Sequence, residues 1–137
     1  SMVNVDKVNE IKKLIPVSII DHNFNNELAN SVKCKPNTGF ISIYDVLRYK
    51  PKSLSIYGFS FYLDGFISGQ KSGIEKEKNC SEQDFADMAF NSKRHIQKNM
   101  WEYAKSTLID KDNIRLDKTL SNILKMKKFS RDSFKDL

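Results

Sequence analysis

Residues 36–62 constrain the fold of this 137-residue chain more than any other segment. The first half of this segment carries one apolar stripe with helical three- and four-residue spacing, formed by Phe40, Ile43, Tyr44 and Leu47. Pro36 cannot lie inside a helix and Thr38 can accept a hydrogen bond from a first-turn amide, so we predict that the helix begins near Thr38. Pro51 ends this helix, because the residue before a proline avoids the helical conformation. Residues 54–57 then form a short strand, and Gly58 lies in the turn after it.

The start of this helix is a candidate anion site. Backbone amides at a helix N-terminus lack intrahelical acceptors and carry partial positive charge, so they favour phosphate groups. Gly39 would let a ligand approach the backbone closely. An ordinary cap in an α/β unit produces the same pattern, and the spacing alone favours that simpler interpretation.

Two clusters in this segment resemble a known motif. Pro36-Asn37-Thr38-Gly39, an apolar helix and then Tyr57-Gly58-Phe59 are similar in order and separation to the small sialyl motif of the family 29 sialyltransferases. In that family the segment contacts the CMP-sialic acid donor. The resemblance therefore implies a substrate-binding set that consists of Asn37, Thr38, Gly39, Tyr57 and Gly58.

The same resemblance gives a role to one of the two histidines. A single histidine on an amphipathic helix is usually structural. The family, however, ends with a histidine that acts as general base and a glutamate after it, which implies His95 and Glu102 as the catalytic pair. Six residues separate them here, where the family has four. His22 follows a predicted strand and is a second candidate.

A phosphate-binding histidine of the family has no counterpart, because no histidine occurs between Gly58 and Arg94. Tyr62 or Lys71 is expected to take its place, and the sequence does not choose between them. The implied reaction transfers a sugar from a CMP-sugar donor to a glycan acceptor hydroxyl, with His95 removing the hydroxyl proton. No metal or other cofactor is expected.

The remaining elements follow from periodicity and capping residues. Further helices are predicted over residues 3–14, 24–32, 82–103 (with a break near Asn91) and 118–129. The third of these would place Asp87, Asn91, His95 and Glu102 on one face. Further strands are predicted over residues 17–20 and 114–116, and a long loop over residues 64–81. Ser81 and Asp117 are the expected caps of the helices that follow them.

These elements predict an α/β fold with a small, mostly parallel sheet of three or four strands flanked by helices. With the resemblance, this is a Rossmann-like half of a sialyltransferase-type domain, expected to be a single domain over residues 1–137. The family's upstream large motif has no counterpart before Pro36. Three interpretations of the chain are therefore possible: a truncated enzyme, a minimal relative or a non-catalytic derivative. Ser1 before Met2 is expected to be a remnant of cloning.

The formal charge of +6 is concentrated at the C-terminus, where residues 118–137 hold six cations and two anions. The alternative function is that of a non-catalytic binding module. It would use this basic segment, about residues 125–137, to bind a protein or nucleic-acid partner. A solvated helix with a frayed end is the simpler interpretation, and nucleic acid is not the favoured partner.

The chain is expected to be soluble and cytoplasmic, because no signal peptide and no apolar run of about 18 residues is visible. Cys34 and Cys80 suit either free thiols in a reducing compartment or one disulfide. The aromatic residues between Phe59 and Phe66 are expected to form an open apolar face, which predicts a homo-oligomer.

Overall fold

The computed structural model describes residues 4–64 and 81–137. Phe66, Lys71, Cys80 and most of the predicted loop over residues 64–81 lie outside them. The described helices are α1 (Val5–Lys12), α2 (His22–Val32), α3 (Thr38–Arg48), α4 (Glu82–Phe90), α5 (Gln97–Leu108), α6 (Lys118–Lys125) and α7 (Arg131–Lys135). Within these residues, no helix has the length and apolar character needed to cross a membrane.

The sheet consists, in the described chain, of β1 (Leu54–Ile56) and β2 (Ile114–Leu116). The two strands are parallel, and Leu54 lies opposite Ile114. A parallel pair requires a crossover connection, and α4 and α5 lie on it. The small parallel sheet flanked by helices is thus confirmed. Its predicted size of three or four strands is not, since the described residues form two.

The predicted strand over residues 17–20 is wrong. These residues have no regular secondary structure, and Ile19 is 55 % exposed. A β-branched run becomes a parallel strand when both of its faces are covered. The preceding helix α1 buries none of its own residues, so it does not supply a buried apolar face for a strand here.

The core is built around α5, which buries Met100, Trp101, Ala104 and Leu108. Helix α6 packs beside it through Leu120, Ile123 and Leu124. The buried Trp101 indole Nε1 donates to the Ile123 carbonyl at 2.8 Å. On the other side, the Tyr44 hydroxyl of α3 lies 2.5 Å from Thr107 Oγ1. Burial raises the pKa of Tyr44 well above its usual range.

The C-terminal segment is docked onto this core, which contradicts the frayed end. The Phe129 ring stacks on Phe90 with centroids 5.5 Å apart and lies 5.5 Å from Trp101. Arg131 forms an ion pair with Asp87 of α4, and its guanidinium lies 4.4 Å from the Phe90 ring centroid. Periodicity gave no sign of these contacts, because all of them are long-range.

The aromatic segment after β1 also faces inward. Phe61 is buried, and Phe59 packs partly buried against the same core. Their rings meet edge to face with centroids 4.9 Å apart. These two residues therefore do not form the open apolar face expected of them. A homo-oligomer stays a prediction without an assigned surface.

Candidate functional site

Three helix N-termini meet at the edge of the sheet where both strands end. Helices α3 and α5 each precede a strand, and α6 follows β2. Three contacts bring these ends together, between Gly39 and Phe59, between Gly58 and Asp117, and between Lys35 and His95. We call this region the strand-exit edge. In open α/β sheets, ligands bind at the carboxyl ends of the strands.

The two halves of the sialyl-like motif contact each other at the strand-exit edge. A Cβ added to Gly39 would lie 3.1 Å from Phe59 Cε2, which is closer than most such contacts. The Phe59 ring also lies 6.4 Å from the Phe40 ring. Gly39 is therefore explained by the packing of Phe59, and the expected close approach of a ligand is not required to account for it.

Asn37 caps helix α3. The helix begins at Thr38 as predicted, but the Asn37 Oδ1 accepts from the Phe40 amide at 2.9 Å, so the cap expected of Thr38 belongs to its neighbour. Thr38 and Gly39 are exposed. Among the described residues, no acceptor is found for their backbone amides. These two amides can therefore bind an anion.

His95 lies between α4 and α5, and not in the middle of one helix as predicted. The helical pattern breaks at Asn91, and the Ser92 Oγ then accepts from the His95 amide at 3.0 Å. The His95 Nδ1 lies 2.8 Å from the Lys35 carbonyl oxygen. A carbonyl only accepts, so Nδ1 carries the proton and the neutral ring has its lone pair on Nε2.

The predicted common face of Asp87, Asn91, His95 and Glu102 is wrong, because the break separates them. Asp87 belongs to α4, where it pairs with Arg131. Glu102 is exposed on α5, and its carboxylate lies 3.9 Å from Lys98 Nζ. No hydrogen bond or ion pair links Glu102 to His95 in the part of the chain that the structure describes. The structure thus brings His95, but not Glu102, to the start of α3.

Tyr57 and Gly58 follow the end of β1, which stops at Ile56 and so one residue before the predicted end. Gly58 adopts a φ of 69°, as expected for a turn glycine, and its amide donates to Asp117 Oδ2 at 2.7 Å. Asp117 therefore occupies the amide that a ligand would use at Gly58. Tyr57 is 74 % exposed.

Tyr62 lies in a tight turn closed by a bond of 3.1 Å from the Leu63 amide to the Ser60 carbonyl. Phe61 and Tyr62 have φ values of 54° and 58°, which are uncommon for residues with side chains. The buried Phe61 ring accounts for this conformation, because it places the ring in the core. Tyr62 itself is half-buried. Its alternative, Lys71, lies outside the described residues.

His22, the second candidate base, is the exposed first residue of α2. Asp21 caps that helix by accepting from the Asn23 amide at 2.6 Å. No hydrogen bond or ion pair between His22 and the strand-exit edge is found among the described residues. Within the same residues, no group of three or more His, Cys, Asp or Glu side chains is placed to share a metal ion.

The two segments that meet at His95 are strongly basic. Residues 33–39 and 91–98 contain five cations and no acidic residue. The cations are Lys33, Lys35, Lys93, Arg94 and Lys98. Such a concentration of one sign attracts anionic ligands. Cys34 lies in the same region, where burial raises its thiol pKa, so the protonated thiol donates to the Ile96 carbonyl at 3.8 Å.

Sequence reasoning missed Gln97, which is 2 % exposed at the start of α5. Its Nε2 donates to the His95 carbonyl at 2.9 Å, while its Oε1 has no partner among the described residues. A buried acceptor without a partner costs about 1–3 kcal/mol. The signal was present in the sequence, because Gln97 continues the apolar stripe of Met100, Trp101 and Ala104 at helical spacing.

A surface cleft lies at the opposite end of α5. Leu108, Lys111, Ser121 and Lys125 are among its lining residues. A helix of 12 residues is about 18 Å long, so this cleft is separate from His95.

The chain matches no model of a known protein family, no curated protein and no solved structure. Functional inference therefore depends on the residues and geometry of the strand-exit edge.

Proposed function

We propose that this chain is a sialyltransferase-like glycosyltransferase domain. In this proposal it is a Rossmann-like half-fold that binds a CMP-sugar at the strand-exit edge. The single observation that carries the proposal is the hydrogen bond of 2.8 Å from His95 Nδ1 to the Lys35 carbonyl. It joins the candidate base to the segment that begins the sialyl-like motif, across 60 residues of sequence.

The tautomer of His95 supports its role as the base. With the proton on Nδ1, the Nε2 lone pair can take the proton of an acceptor hydroxyl while that oxygen forms a bond to the anomeric carbon. The bond between the anomeric carbon and the CMP phosphate oxygen breaks in the same step, and its electron pair leaves with CMP. Imidazolium then holds the proton, so the step is balanced without a metal.

The departing phosphate is the second requirement. We assign the amides of Thr38 and Gly39 as the groups that bind this phosphate. Hydrogen-bond donors placed where negative charge develops stabilise the transition state. Helix α5 adds a second N-terminus with no side-chain cap. Tyr57 and Tyr62 stay predicted substrate contacts. Gly58 stays one only through atoms other than its amide, which donates to Asp117. Glu102 has no role in this proposal, since its carboxylate pairs with Lys98.

The alternative, a binding module that uses its basic C-terminal segment, gains less support. Arg131 is held by Asp87 and by the Phe90 ring, Met126 is buried, and Phe129 and Phe134 pack partly buried against the core. The cations at Lys127 and Lys128 stay exposed. Exposed lysines occur on most protein surfaces, so no specific observation favours a nucleic-acid or protein partner there.

The proposal is tested by donor turnover in two matched histidine variants. His95→Ala should lower hydrolysis or transfer of CMP-sialic acid about 10²–10⁴-fold, because it removes the base. His22→Ala, at the exposed histidine, should turn over the donor at the wild-type rate. The opposite pattern would assign the base to His22. Absence of turnover in the wild-type chain with every acceptor offered would refute the enzymatic proposal.

A further inference from the structure

We propose that Gln97, together with Ser92, is a positioning residue that fixes the His95 imidazole as its Nδ1–H tautomer. This inference rests on the proposed function, in which Nε2 of that ring is the base. Neither residue has to touch a substrate. Each acts through the backbone of His95.

Among the described residues, each polar atom of His95 except Nε2 has a hydrogen-bond partner. Its amide donates to Ser92 Oγ at 3.0 Å, and its carbonyl accepts from Gln97 Nε2 at 2.9 Å. Its Nδ1 donates to the Lys35 carbonyl at 2.8 Å. The same two segments are joined again where the Lys35 amide donates to the Arg94 carbonyl at 3.2 Å. The loop is therefore held on both sides of the ring, and Nε2 is the atom left for chemistry.

Gln97 is a poor choice for stability alone. It occupies a buried place on the apolar stripe of α5 and leaves Oε1 without a partner among the described residues. A flipped amide would not relieve this, because it would place Oε1 against the His95 carbonyl and set two acceptors together. Methionine would fill the same position without a polar atom. A local rule broken without a stability gain is typical of functional positions.

Asn99 offers a matched control on the same helix. Its Nδ2 donates to the Lys33 carbonyl at 3.3 Å, so it also ties α5 to the segment before α3. It makes no hydrogen bond to His95 among the described residues. Replacing Asn99 therefore weakens the same contact between segments and leaves the His95 backbone partners in place.

The test is the tautomer of His95, measured by long-range proton–nitrogen NMR on the labelled chain without any ligand, at a pH where both imidazoles are neutral. In the wild type, Nδ1 should show the shift of a protonated ring nitrogen and Nε2 that of an unprotonated one. Exposed His22 supplies the reference ring, because no hydrogen bond to either of its ring nitrogens is found among the described residues. Gln97→Met should move His95 toward the His22 pattern without lowering the melting temperature. Asn99→Ala should leave the His95 signature unchanged.

Either of two results with the Gln97 and Asn99 variants overturns the inference. One is a folded Gln97→Met chain that keeps the wild-type His95 signature, and the other is an equal change in Asn99→Ala. If Gln97→Met does not fold, Ser92→Ala decides by the same signature, since Ser92 lies in the loop outside the core. A retained Nδ1–H signature in that variant would refute the positioning role.

Kinetics separate this inference from the proposed function. Gln97→Met should lower kcat for the CMP-sugar about 10–100-fold and leave KM unchanged, because it displaces the base without touching the donor. Unchanged kcat would refute the positioning role alone. A wild-type chain that controls the His95 tautomer as described but turns over no donor would instead refute the transferase.

Discussion

Asn37 determines both where α3 begins and which of its amides are available. Its side chain accepts from the Phe40 amide, at the third helical position, so the amides of Thr38 and Gly39 before it are the ones a ligand can reach. The sequence predicted the helix start but gave the cap to Thr38, since both residue types cap helices. The choice between them depends on backbone conformation, and Asn37 has the extended conformation of a cap residue.

Replacing Asn37 should destabilise the chain, whereas replacing Thr38 should not. Asn37→Ala removes the capping bond and should lower the free energy of unfolding by about 1 kcal/mol, as judged by urea denaturation. Asn37→Ser, which keeps a capping side chain at this position, should recover most of that loss. Thr38→Ala should change stability by less than about 0.5 kcal/mol. If Thr38→Ala lowered the free energy of unfolding and Asn37→Ala did not, the cap would be Thr38, as the sequence suggested.

At the scale of elements, Asp117 joins the end of β1 to the start of α6. Its two carboxylate oxygens accept from the Gly58 amide and from the Leu120 amide, each at 2.7 Å. Its own amide donates to the Ile56 carbonyl at 3.1 Å. One side chain thus closes the strand-exit edge between β1 and α6, which leaves the ends of α3 and α5 as the available part.

Asp117→Ala should therefore cost more than the loss of an ordinary cap. Two charge-assisted bonds are removed, and we expect the free energy of unfolding to fall by about 2–4 kcal/mol. Asp112→Ala, at an exposed position in the preceding turn, is the control and should stay within about 0.5 kcal/mol of the wild type. Equal urea midpoints for the two variants would contradict the bridging role of Asp117.

Capping residues, apolar periodicity and prolines predicted correctly those helices that are specified by residues within or next to them. Helix α3 has a cap, an apolar stripe and a terminating proline, and α4 has the capping box of Ser81 and Asp84. Residues 17–20 failed because a strand needs neighbours that the sequence pattern does not specify. The break between α4 and α5 was expected near Asn91. Its length of six residues, which takes His95 out of the helix, was not.

For the whole molecule, the candidate site depends on long-range contacts that no periodicity contains. The bond between His95 and Lys35 spans 60 residues, and the bond between Gly58 and Asp117 spans 59. The resemblance to a sialyltransferase motif pointed to His95, Thr38 and Gly39, which the fold gathers at one edge. It also pointed to Glu102, which the fold leaves in solvent.

The central claim is that this edge binds a CMP-sugar, and a titration with CMP followed by amide NMR tests it most directly. We predict saturable binding with the largest shifts at Thr38, Gly39 and His95. Inorganic phosphate should perturb the same amides more weakly, because it lacks the nucleoside. A dissociation constant near 1 mM corresponds to only about 4 kcal/mol, so even a weak site is detectable. Binding that does not saturate at CMP concentrations of several mM, well above such a dissociation constant, would contradict the claim. Shifts confined to residues 125–137 would contradict it as well.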